Sequence, residues 1–111
     1  MYNKVNLHSG GIMTYYLAID IGASSGRHIL GHIENGLLIT EEIHRFENGV
    51  KKTEYGLVWD IEHLVSEVIR GIAIAKTLGK VPISIAIDTW GVDYCLLDET
   101  MEGMIVWALP S

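Results

Sequence analysis

A chain of 111 residues can close around one modest hydrophobic core. With 49% hydrophobic and 20% charged residues, its composition is that of a folding chain and not of a disordered one. A formal net charge of −6 argues against nucleic acid as a partner, and apolar runs broken by Asp20, Arg27 and Asp88 are too short for a membrane-crossing helix.

Residues 1–13 show no sustained period and read as a flexible leader, with Met13 as a possible natural start. Tyr15 to Ile21 is a short, nearly continuous apolar run, the pattern of a strand covered on both faces. The small residues Gly22 to Gly26 follow as a tight loop. Arg27 to Ile33 reads as a second strand, and Asn35-Gly36 supplies the positive φ values of a type I′ hairpin turn. Leu37 to Phe46 returns as a third strand. Asn48 to Gly56, which holds Lys51 and Lys52, reads as a polar, solvated loop.

Asp60 suits a helix N-cap, with Glu62 in the positive first turn. Ile61, Leu64, Val65, Val68, Ile69 and Ile72 then recur at helical spacing, and Gly79 marks the stop. Ile83 to Ile87, opened by Pro82, is a further short apolar strand, so the helix bridges two strands as a crossover. The expected fold is α/β, with a mixed sheet made of a three-strand meander and one crossover helix.

Cys95 is the single cysteine, which rules out an intrachain disulfide and a cysteine metal cluster, suits a reducing cytosol, and in its apolar run reads as a buried small hydrophobe. His8, His28, His32, His44 and His63 show no metal spacing and read as surface or hairpin histidines.

Two stretches carry chemistry. In Asp20-Ile21-Gly22-Ala23-Ser24-Ser25-Gly26-Arg27, a carboxylate at the end of a buried strand needs a cation. Small residues let backbone N–H groups approach an anion, and Arg27 adds a permanent charge. A magnesium–polyphosphate site suits this set, although an ordinary turn with a surface ion pair is the plainer reading of the spacing alone; it is neither a Walker loop nor a GxGxxG fingerprint. The second stretch, Asp88-Thr89-Trp90-Gly91-Val92-Asp93, follows a strand at the sheet edge where α/β folds place ligands. A tryptophan face and two carboxylates there suit a sugar, and a packed loop with capping aspartates is the plainer alternative.

Taken in order, AIDIGASSGRHILG, IHRFENG, VWDIEHL and IDTWGVDYCLLD resemble the N-terminus of the FGGY carbohydrate kinases of the actin-like ATPase superfamily. IDTWGVDY is most similar to the branch that phosphorylates L-rhamnulose. The resemblance implies an actin-like (ribonuclease H-like) N-terminal half-domain over 14–98, with 99–111 a divergent tail. It further implies transfer of the ATP γ-phosphoryl to O1 of L-rhamnulose with Mg2+, in the cytoplasm, with ATP and the sugar as small-molecule partners. By that resemblance Ala23, Ser24, Ser25, Gly26 and Arg27 bind the ATP phosphates, Asp20 holds magnesium through water, and Gly91 contacts the sugar. The family's catalytic base is expected beyond residue 111, so neither Asp88 nor Asp93 is assigned that role.

Overall fold

The computed structural model describes residues 13–91, 93–101 and 103–106. Residues 1–12 of the leader and residues 102 and 107–111 of the tail lie outside the described residues. The strands are β1 (Tyr15–Ile21), β2 (Ser25–Glu34), β3 (Leu37–Glu47), β4 (Val50–Thr53) and β5 (Gly56–Trp59). The helix α1 (Ile61–Thr77) follows, then β6 (Pro82–Asp88), β7 (Cys95–Leu97) and β8 (Gly103–Val106).

The main sheet has the order β3-β2-β1-β6. β1, β2 and β3 form an antiparallel meander, and β6 joins β1 in parallel after the α1 crossover. The mixed sheet is the one expected from sequence. Asn35 and Gly36 have φ of 52° and 77°, the left-handed pair that a type I′ turn requires. A register shift between His28 and Ile29 leaves Ile43 unpaired on β3 as a bulge, and its side chain packs on the core.

α1 begins where Asp60 Oδ1 accepts the His63 backbone N–H at 3.1 Å, which satisfies one otherwise orphaned donor of the first turn. It ends at Leu78, and Gly79 at φ 72° reverses the chain with its N–H bonded to the Lys76 carbonyl. Leu64, Val68, Ile72 and Ala75 pack onto Leu17, Ile19, Ile21, Leu30 and Phe46. Those contacts form the core.

Four expectations are corrected. Among the described residues β1 is covered on one face only: Leu17, Ile19 and Ile21 are buried beneath α1, while Tyr16, Ala18 and Asp20 are exposed. An apolar run looks alike whether one face or two are covered, because Tyr and Ala tolerate exposure. The stretch 48–56 is not all loop; β4 pairs with β5 from Val50↔Trp59 to Thr53↔Gly56. Thr53 Oγ1 accepts the Tyr55 N–H and donates to the Gly56 carbonyl, and Gly56 at φ 104° closes the turn. His28 is fully buried against α1 and is no surface histidine. Cys95 is only half-buried, because β7 is a short strand with Leu96 and Leu97 exposed beside it.

Candidate functional site

The carboxyl end of β1 places three charged side chains in one row. Asp20 pairs with Arg27 across the antiparallel β1–β2 ladder and with Asp88 across the parallel β1–β6 ladder. Residues paired directly across a ladder share a face. Ile19, His28 and Ile87 occupy the helix side, so Arg27, Asp20 and Asp88 lie on the face turned away from α1. Arg27 Nη1 stands 3.6 Å from Asp20 Oδ2, with side chains 32% and 52% exposed. An ion pair this open to water is worth about 0–1 kcal/mol, so it leaves both groups free to exchange partners.

The expected desolvated carboxylate is therefore corrected: Asp20 is half-exposed, because the face it occupies is uncovered among the described residues. A hydrated carboxylate at a strand end still suits a hard cation held through water. Among the described residues no group of three or more His, Cys, Asp or Glu side chains converges as a metal cage.

The turn from Gly22 to Ser25 rises beside this row. The Gly22 N–H donates to the Ser25 carbonyl at 2.9 Å, which closes the turn. Ala23 and Ser24 are exposed, and among the described residues their backbone N–H groups engage no acceptor. Arg27 Nη2 donates to Ser25 Oγ at 3.4 Å, and its Nε is buried with no partner among the described residues. Exposed backbone donors near a guanidinium are chemistry that suits an anion. Gly26 meets a packing need on the opposite, helix side of β2: a Cβ there would lie 2.2 Å from Phe46 Cζ. The sequence-based grouping of Asp20 with residues 23–27 is thus one spatial cluster.

Gly91 is set apart on the loop after β6; it is exposed, and a Cβ added there would meet nothing within 4 Å. Next to it, Trp90 and Trp59 pack with ring centroids 4.3 Å apart at 39°. Asp93 Oδ2 accepts the indole N–H of both tryptophans. Asp93 therefore ties β5 to this loop through side chains. Trp59 was not singled out in the sequence, since nothing in VWDIEHL indicates a partner more than thirty residues on. Asn48 carries no sequence signal of its role either: its Nδ2 donates to the Gly22 carbonyl at 2.9 Å, and its backbone N–H donates to the Ser24 carbonyl at 3.0 Å.

No family model matches the chain. Among curated proteins it is 49% identical over 84 residues to the rhamnulokinase of Bacillus subtilis (strain 168). It is 51% identical over 83 residues to that of Oceanobacillus iheyensis and 50% identical over 86 residues to that of Enterococcus faecalis. These matches cover 75–77% of this chain but only 17–18% of the relatives, so the chain spans less than a fifth of their length. Among solved structures it is similar to the Aquifex aeolicus PPX-GPPA enzyme, with TM-score 0.54 and 19% identity over 69% of this chain and 26% of that one. At that identity the likeness shows the fold alone, which is of the actin-like ATPase kind.

Proposed function

We propose that this chain, whose sequence is shared with rhamnulokinases over three quarters of its length, forms the phosphate-holding part of an ATP-dependent sugar kinase. The reaction is transfer of the γ-phosphoryl of ATP to O1 of L-rhamnulose, the sugar being the one named by the relatives. The single observation that supports phosphate binding most is the turn at Ala23 and Ser24, whose N–H groups engage no acceptor among the described residues and whose neighbour Ser25 accepts a hydrogen bond from Arg27.

In this reading Ala23, Ser24, Ser25, Gly26 and Arg27 receive the ATP phosphates. Backbone donors fix the phosphate oxygens in place, and the Arg27 guanidinium offsets charge that builds during transfer. Asp20 is the residue that would hold Mg2+ through water; the bound ion neutralises phosphate charge. Asp20 fits that role because its carboxylate is hydrated and lies on the open face next to the turn. Gly91, with open space where a side chain would stand, lets a sugar come close to the backbone. Phosphoryl transfer draws chiefly on positioning and charge neutralisation, and a donor turn beside one carboxylate supplies a share of both.

Calorimetric titration of the chain with Mg-ADP, and then with L-rhamnulose, tests the reading. Heat from both ligands is expected, with the nucleotide signal lost in Arg27→Ala and in Asp20→Ala. Absence of any nucleotide heat from the unaltered chain sinks the phosphate reading. Nucleotide heat without sugar heat points instead to an ATPase of this fold that takes no sugar.

A further inference from the structure

We infer that Asn48 is a positioning residue that holds the Gly22–Ser25 turn in its anion-receiving shape. The turn itself has little to fix it. Gly22 and Ala23 contribute no side-chain anchor, Ala23 and Ser24 are exposed, and one internal bond closes it, Gly22 N–H to the Ser25 carbonyl at 2.9 Å.

Asn48 grips the turn from the β3 side at two points. Its side-chain amide donates to the Gly22 carbonyl at 2.9 Å, and its backbone N–H donates to the Ser24 carbonyl at 3.0 Å. Both bonds turn carbonyl oxygens of the loop toward Asn48. A peptide carbonyl and the N–H of the next residue point in opposite directions along one rigid plane. Holding the Gly22 carbonyl toward Asn48 therefore directs the Ala23 N–H away from it, out of the turn. Holding the Ser24 carbonyl orients the peptide on the other side of the exposed stretch in the same way.

Asn48 is itself well anchored. It directly follows Glu47, which ends β3 opposite Ser25 at the start of β2. The Glu47 carbonyl accepts His63 Nε2–H at 2.9 Å from the first turn of α1. The half-buried amide is thus fixed to the sheet and to the helix at once, and it passes that rigidity to a loop that has none of its own. An asparagine suits the place because it supplies an N–H2 donor on a short stem; aspartate has the same shape and no donor.

The inference rests on the phosphate reading for its purpose, but its geometry can be tested separately. Two variants are compared with the unaltered chain: Asn48→Asp, isosteric and lacking the donor, and Asn48→Ala. The first readout is amide hydrogen exchange by NMR at Gly22, with Leu17 and Ile19 in β1 as internal references. The expected result is about tenfold faster exchange at Gly22 in both variants, with β1 amides unchanged. The second readout is Mg-ADP affinity by calorimetry. Loss of one preorganising hydrogen bond is expected to weaken binding about threefold to tenfold, with the urea midpoint far less affected.

Unchanged Gly22 exchange in both variants overturns the inference, as does loss of protection spread evenly over β1 and Gly22. If the unaltered chain gives no Mg-ADP heat, the phosphate reading fails, and the exchange readout alone decides whether Asn48 holds the turn.

Discussion

His28 enters the interface between sheet and helix with no exposed surface; its Nε2–H donates to the Val68 carbonyl at 3.0 Å, and its Nδ1 is buried without a partner among the described residues. Gly71 makes room for it, since a Cβ at that position would stand 2.2–2.3 Å from three ring atoms of His28. Alanine is the better helix former by about 1 kcal/mol. Overpacking costs about 1–3 kcal/mol, and stranding the histidine donor adds about 1–3 kcal/mol more, so the clash wins. Gly71→Ala is expected to destabilise the chain by about 2 kcal/mol net, read as a lowered urea midpoint.

Acid acts on the same cluster. Desolvation on burial lowers the His28 pKa from its ordinary 6.5, against the pull of the Val68 carbonyl and despite the nearby Glu67; His44 lowers it further. The hydrogen bond from His44, 2.7 Å away, lowers the Glu67 pKa from 4.5, with Arg70 and His63 adding to the effect. In both cases the unfolded chain takes up the proton first, so the stabilisation is complete at high pH and is lost on acidification. The His28 share is lost as pH falls below 6.5 toward its lowered folded value, and the Glu67 share only as pH falls below 4.5. The urea midpoint should therefore drop between pH 7.5 and 5.5 (conditions chosen to bracket the histidine value), and the drop should shrink in His28→Gln. None of this is legible in the sequence, where His28 sits between Arg27 and Ile29 with the look of an ordinary strand residue.

At the scale of elements, legibility followed local chemistry. The Asn35-Gly36 turn, the Asp60 cap and the Gly79 stop each act within a few residues, so their signatures could be read directly. Asp60→Ala is expected to cost about 1 kcal/mol, visible as reduced helical circular dichroism near the melting midpoint. The candidate site is legible for the same reason: Asp20 and residues 22–27 span one turn between two paired strands. What failed is what depends on distant neighbours. Val50-Lys51-Lys52-Thr53 has no apolar run, and it is a strand because β5 pairs with it. The one-sided cover of β1, the burial of His28 and the joining of Trp59 to Trp90 by Asp93 all require the third dimension.

The whole molecule is unevenly covered. His63 and Glu67 face β3 through Glu47 and His44, which turns Ile61, Val65 and Ile69 toward the β1–β6 side of the helix. Those three are 39–60% exposed, and Ile83, Ile85 and Ile87 on β6 are 45–71% exposed. Apolar side chains on α1 and on β6 are thus left exposed on the same side, and β6 is an edge strand among the described residues. Such an edge invites pairing between copies. Sedimentation velocity should show association that grows with concentration, and Ile83→Lys with Ile87→Lys should reduce it.

The parallel pairing of β6 also dictates a sequence of events in time. β1, β2 and β3 meet through turns of a few residues, whereas β6 reaches β1 only after residues 22–81 have been gathered in between. Closing a long loop is entropically uphill until the contacts it brings are made, and non-local pairings slow folding. The meander is therefore expected to assemble first, with β6 docking late onto a template already formed. Asp20 and Arg27 come together early in this order, while Asp88 completes their row only in the last step.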